Sequence, residues 1–171
     1  IQRSRGLGDV YKRQGSWTYR ISEDNGKTWT GPEKDVTDLN AKGRIDWSSY
    51  RTVLPGGDRK HLHVVYKDYD DYITKKTPDR LFNPRYNQIV GNEWKYNLHY
   101  VKINLRNHEV VNADGKVLNT PIDIDYSMKH CLIWNTEWRG SGIPPVIGLD
   151  SEGEPTFLHI LSGANLSLIH I

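Results

Sequence analysis

The chain has little of what usually fixes a small protein by covalent or metallic means. Of its 171 residues, one is cysteine, one is methionine and two are phenylalanine. A lone cysteine, Cys131, forms no disulfide within the chain, so the redox compartment stays open. Alanine is scarce and apolar residues do not recur at helical spacing, so no long helix is expected. No apolar run approaches the roughly 20 residues that a membrane-spanning helix needs, which argues against a membrane partner. No C-x-x-C or H-x-x-x-H spacing is present to seat a metal, and no cofactor is expected.

A dominant charge is lacking too, once the ends are weighed. Residues 166–171 (LSLIHI) and 9–14 (DVYKRQ) back-translate to one short DNA element read on opposite strands. That element resembles the end of a transposase-based sequencing library, and residues 4–14 (SRGLGDVYKRQ) extend the match. Residues 1–14 and 166–171 are therefore set aside, as fusion scars are. Residues 15–165 are then expected to be an internal slice of one domain of a larger protein. Removing Arg3, Arg5, Lys12 and Arg13 against Asp9 turns 23 basic and 21 acidic residues into 19 and 20, so the net charge moves from +2 to −1. Interspersed charge near neutrality argues against a nucleic-acid partner, which calls for a concentrated positive field.

What is present favours sheet. Ten tyrosines and six tryptophans accompany frequent Val, Ile and Thr in short runs separated by Gly, Asn, Asp and Pro. Strands are expected near residues 17–22, 50–54, 61–67, 96–105, 146–149 and 156–162. A hairpin is expected over 110–118, with Asp114-Gly115 at its turn because that pair tolerates positive φ. The pattern predicts an antiparallel all-β fold. Residues 52–66 (TVLPGGDRKHLHVVY) and 146–162 (VIGLDSEGEPTFLHILS) form a weak repeat, each an apolar strand, a Gly-containing turn and a strand holding Leu-His. Leu62-His63 and Leu158-His159 sit at matching places in it, which favours a shared structural role for the two histidines. The polar, Pro-punctuated residues 67–94 between them read as an insertion, either a disordered linker or, as their Tyr, Trp, Phe and Arg content favours, an ordered loop over a binding face.

Residues 22–29 (SEDNGKTW) fit Ser-x-Asp-x-Gly-x-x-Trp. Asp24 can accept hydrogen bonds from turn amides, Gly26 supplies a backbone angle other residues resist, and Trp29 can pack back over the strand pair. The segment Ser22, Asp24, Gly26, Trp29 resembles the Asp box of the BNR repeat, found in sialidase-like β-propellers. Residues 112–162 (NADGKVLNTPIDIDYSMKHCLIWNTEWRGSGIPPVIGLDSEGEPTFLHILS) are similar to BNR-type propeller proteins of polysaccharide-degrading bacteria, a group that includes ulvan-type uronate lyases and a related rhamnosidase. The resemblance implies a partial β-propeller: about two to three antiparallel, four-stranded blades of six or seven. It implies a carbohydrate-active protein, a lyase or glycosidase acting on acidic, uronate-containing glycans, secreted or periplasmic at full length, with no partner protein inferred. A non-catalytic glycan- or protein-binding propeller is the alternative, and exo-sialidase a further one.

A uronate lyase must neutralise a carboxylate, abstract the neighbouring proton and protonate the leaving oxygen, which suits Arg, His and Tyr. Two clusters supply these types. Tyr50 and Arg51 enter one strand, where their directions alternate so that at most one faces a cavity. Residues 126–139 hold His130 and Arg139 as further catalytic candidates, and Tyr126, Trp134 and Trp138 as substrate-binding ones. His130 is equally read as a buried structural imidazole, and the tryptophans as core. Some propeller lyases of this group carry a structural zinc held by histidines and a cysteine, so a site using Cys131, His159 and ligands beyond Asn165 is conceivable here, the alternative being a buried free thiol.

Overall fold

The structure is a computed structural model, and it describes residues 15–39, 47–70, 80–83, 88–91, 96–136, 144–159 and 167–170. Within these it is mostly antiparallel β-sheet with one short helix, and none of the sheets closes on itself. The central sheet is built from β3 (Trp47–Pro55), β4 (His61–Asp70), β7 (Tyr96–Asn104) and β8 (Val110–Val111), paired in that order. A further strand, β9 (Leu132–Trp134), shares the outer edge of β7.

Residues 62–68 are buried without a break. Since successive side chains point to opposite faces, unbroken burial means a strand covered on both. Leu62, Val64 and Tyr66 point to one side, where they meet Val101, Ile103, Val110 and Cys131 together with Tyr19, Val36 and Ile122. Val65 points to the other, against Leu98, Tyr100, Ile147 and Phe157. The chain is thus three layers deep. The first layer carries β1 (Ser16–Trp17) and β2 (Thr37–Asp38), which pair with each other. The third is β10 (Val146–Leu149), β11 (Pro155–His159) and β12 (Ser167–His170). Thr52 ties the central layer to the third by donating to the Pro145 carbonyl at 2.6 Å.

Several local readings shift. The expected strand over 17–22 is only β1 plus a single antiparallel bridge between Ile21 and Thr30, because Thr18 to Arg20 leave the ladder. The 110–118 hairpin turns at Asp114-Gly115 with Gly115 at φ 76°, and Asn112 Oδ1 accepts from the amides of Asp114 and Lys116. The insertion begins later than residue 67, since β4 runs on to Asp70, and its described part is the hairpin of β5 (Arg80–Asn83) and β6 (Gln88–Gly91). The helix α1 (Ile124–His130) was not expected. Asp123 caps it by accepting from the Tyr126 amide, a sequence cue for a helix start.

The repeat is real as two hairpins, yet its Leu-His pairs are not equivalent. Pro55 and Leu149 end the first strands, and across from them stand Leu62 and Pro155. By register His63 therefore matches Thr156, and Tyr66 matches His159. Residues 166–171 were set aside on sequence, and Ser167–His170 pairs with the edge of β11. Backbone hydrogen bonding asks only for an extended partner at such an edge.

Candidate functional site

At one end of the central sheet β3 begins, β4 ends and β7 begins. Here β7 carries a bulge: Tyr66 pairs with His99 but Asp68 with Tyr96. Asn97, at φ 55°, takes up the extra residue. Asparagine is one of the few side chains that accepts this angle readily. Bulges of this kind re-aim side chains next to functional sites.

On the face toward β10 and β11, this end presents a row of four side chains. Tyr50 lies opposite Lys67 across the β3–β4 ladder, and it is 41% exposed. Trp134 packs into the apolar cluster of that face, and His159 meets its ring edge-on at 5.9 Å. Lys67 and His159 are fully buried. Neither ring nitrogen of His159 has a hydrogen-bond partner. Burial first, then the positive charge of Lys67, pushes the His159 pKa down to about 4, so the imidazole is neutral near pH 7. Such a row joins an accessible phenol, a buried cation and a flat indole. It can place an anion in the field of Lys67 and move a proton at the Tyr50 hydroxyl.

The opposite face at the same end is a buried polar chain that sequence reading missed. Tyr66 Oη lies 2.6 Å from Ser127 Oγ, which lies 3.0 Å from His99 Nδ1. His99 Nε2 is 2.9 Å from Asp68 Oδ1. Neither atom makes a directed hydrogen bond there, so the contact is one of proximity rather than an aligned bond. Asn97 Nδ2 donates to Asp68 Oδ2, and Asn97 and Thr136 exchange two hydrogen bonds, at 2.8 and 3.1 Å. Tyr66 stacks on His99 with ring centroids 5.1 Å apart. The Ser-His-Asp order invites a nucleophile reading. All three residues are 0% exposed, so no polymer reaches them and the chain pins α1 to the sheet. Its one sequence cue was the Lys67-Asp68 pair at the end of an otherwise apolar strand.

The remaining candidates divide. Arg51 turns to the first layer, with its guanidinium 5.6 Å over the Trp17 ring and a hydrogen bond to Ser49. Tyr50 and Arg51 therefore do face opposite ways. Tyr126 and His130 lie together on α1, with ring centroids 4.5 Å apart. They sit beyond β7, whereas Tyr50 is on β3. Two or three strand spacings, roughly 10–14 Å, separate these places, so His130 and Tyr50 do not share a reacting centre. Trp138 and Arg139 lie outside the described residues. His63 binds the Tyr100 hydroxyl at 2.7 Å, and burial holds its pKa below the usual histidine value. Cys131 packs on the Tyr66 side, where burial pushes its thiol up to about 11, while His159 lies on the other face with Trp134. Among the described residues no three His, Cys, Asp or Glu side chains gather as metal ligands.

Residues 22–29 form a closed polar corner. Asp24 Oδ1 accepts from the Thr28 amide at 2.8 Å, and Oδ2 from the Thr28 hydroxyl at 2.7 Å. These bonds hold its pKa down to about 2. Ser22 Oγ accepts from the Gly26 amide, and Trp29 Nε1 donates to the Gly26 carbonyl. Gly26 sits at φ 87°. Ile21 and Thr30 exchange two 2.8 Å backbone bonds below the corner.

No protein-family model matches the chain, and comparison with curated proteins gives no match. The fold is similar to that of polysaccharide lyases. The solved structures it resembles include an ulvan lyase described as a new family, PL25, bound to -[GlcA(1-4)Rha3S]-, at a TM-score of 0.61 and 21% identity. A second structure of PL25 ulvan lyase gives 0.60 and 19%. Each match covers 88% of this chain and 33% of the lyase chain. This chain thus spans about a third of the length of the lyases it matches, and at these identities the likeness is one of fold.

Proposed function

We propose that this chain is part of a carbohydrate-active β-propeller, a lyase or glycosidase that cleaves uronate-containing glycans. The observation that carries the reading is the shared fold with a lyase bound to an acidic oligosaccharide. Two features support it: the stacked antiparallel sheets, and a corner at residues 22–29 whose hydrogen bonds suit a BNR Asp box. In the lyase form, a carboxylate is neutralised by a cation, the proton on the carbon beside it passes to a base, and the glycosidic C–O bond breaks as its oxygen takes a proton. A carbon–carbon double bond remains. Lys67 would supply field for the first step and the Tyr50 hydroxyl the proton traffic. Arg139 is the proposed bidentate partner of the carboxylate.

The test is incubation of the protein, at the full length of its reading frame, with a glucuronate–rhamnose-sulfate polysaccharide. New ultraviolet absorbance from unsaturated uronate is expected. Tyr50→Phe and Arg139→Ala should each lower turnover by about 10²-fold or more while glycan is still bound. New reducing ends without absorbance would move the assignment to a glycosidase. A second reading, a non-catalytic glycan-binding propeller, is favoured by one observation: His99, Asp68, Ser127 and His159 are all fully buried. Binding without any cleavage would select it.

A further inference from the structure

We propose that Lys116, His130 and Lys129 form a second, anion-directed glycan-binding patch on the outer edge of the sheet, away from Tyr50. This rests on the glycan reading above. Lys116 Nζ lies 3.4 Å from His130 Nδ1. An ammonium has only donors, so Nδ1 must accept and the ring proton sits on Nε2. The notch therefore offers two kinds of outward donor, the remaining Lys116 N–H groups and His130 Nε2–H. Lys129 precedes His130 in the last turn of α1.

The patch is rigid. The Tyr126 ring backs His130 at 4.5 Å, itself packed on the core below and accepting at its hydroxyl from the Asn119 amide. Asn112 donates to the His130 carbonyl at 3.0 Å and accepts from the Lys116 amide at 2.8 Å, so one side chain sets the spacing of both elements. That bond also covers a carbonyl at the end of α1, which otherwise would repel an anion. Like charges crowd here: after desolvation, Lys116 and then Lys129 hold the His130 pKa below its usual value. Asp114, the acidic residue nearest in the hairpin, accepts from Asn112 instead. A sulfate ester or carboxylate on a sugar would accept from Lys116 and His130 together and relieve the crowding.

The test is direct binding, independent of turnover. The protein is titrated with -[GlcA(1-4)Rha3S]- oligosaccharides, their desulfated and carboxyl-reduced forms, and inorganic sulfate, while the His130 imidazole resonances are followed. Binding should shift them and raise the His130 pKa, since an anion favours the imidazolium. Lys116→Gln should weaken binding about tenfold and abolish the shift, with near-ultraviolet circular dichroism unchanged. Loss on desulfation assigns a sulfate, and loss on carboxyl reduction a carboxylate. Equal binding of inorganic sulfate would overturn a sugar site, and an unaffected Lys116→Gln would overturn the patch. An inactive protein whose His130 still responds would sink the catalytic reading and leave the patch standing.

Discussion

Acid should unfold this protein partly through one residue. His159 is 1% exposed, has no hydrogen-bond partner at either ring nitrogen and lies near the fully buried Lys67. In the unfolded chain it takes a proton near pH 6.5; in the fold only near pH 4. The fold thus favours the neutral ring. Its contribution is complete above about pH 6.5 and is lost as pH falls toward 4, below which this group adds no further slope. At about 1.4 kcal/mol per pH unit, the difference is about 3 kcal/mol, a large share of a typical domain's stability. The assay is urea unfolding between about pH 7.5 and pH 4 for the protein and for His159→Phe, which keeps a ring against Trp134 and removes the titration. At the upper pH, Phe should be neutral or stabilising, because it removes two polar atoms buried without partners. By pH 4 the unaltered protein should have lost about 3 kcal/mol more than the variant. Asp24 and Asp58, held down to about 2 by turn hydrogen bonds, lose their contributions at still lower pH and do so in both proteins. Parallel pH profiles for the two proteins would refute the reasoning.

Other expectations follow from single contacts. A Cβ on Gly31 would stand 2.5 Å from the Tyr19 carbonyl oxygen, so Gly31→Ala should lower Tm far more than Gly57→Ala, where nothing lies within 4 Å. Gly26→Ala meets ordinary space but keeps φ 87°, and it should cost about 1–2 kcal/mol in denaturant unfolding through strain alone. Thr136→Val leaves the buried Asn97 amide without its acceptor and should cost about 1–3 kcal/mol, whereas Thr136→Ser should restore it. Phe157→Ala should cost about 3–5 kcal/mol and expose Tyr100 and Val65, seen as a change in tyrosine fluorescence.

Much of the sheet was legible because strand signals are local. The 61–67 run, the 146–149 run and the Asp114-Gly115 turn each carry their own chemistry within a few residues, and the structure places them as read. The corner at 22–29 was legible for the same reason: Ser22, Asp24, Gly26 and Trp29 satisfy one another. The helix was not, since seven residues with one cap carry little periodicity and Met128 and Tyr126 do not mark a face. The polar chain was not either. Asp68, His99 and Ser127 are scattered along the sequence, and only the bulge at Asn97 and the cap at Asp123 bring them into contact. Tyr50 and Trp134 were named individually. That they lie on one face with Lys67 and His159 depends on the pairing of β3 with β4 and on the hairpin packed beside them.

The two faces of β4 also explain why polar groups can be buried here at all. Lys67 and Asp68 are consecutive, so the pleat sends them to opposite sides. One goes to the face with Trp134 and His159, the other to Asn97 and His99. Each would be costly alone in an apolar interior. Asp68 is met by Asn97 Nδ2 and by the His99 ring, both placed by the bulge in β7. Straightening that bulge removes both at once. A one-residue deletion at Asn97 should therefore unfold the protein outright, whereas Asn97→Gly, which keeps the positive φ and loses only the side chain, should leave a folded protein with a lower Tm. If the deletion and the glycine variant melted alike, the bulge would be a passive irregularity and Asp68 would have to be held by some other contact.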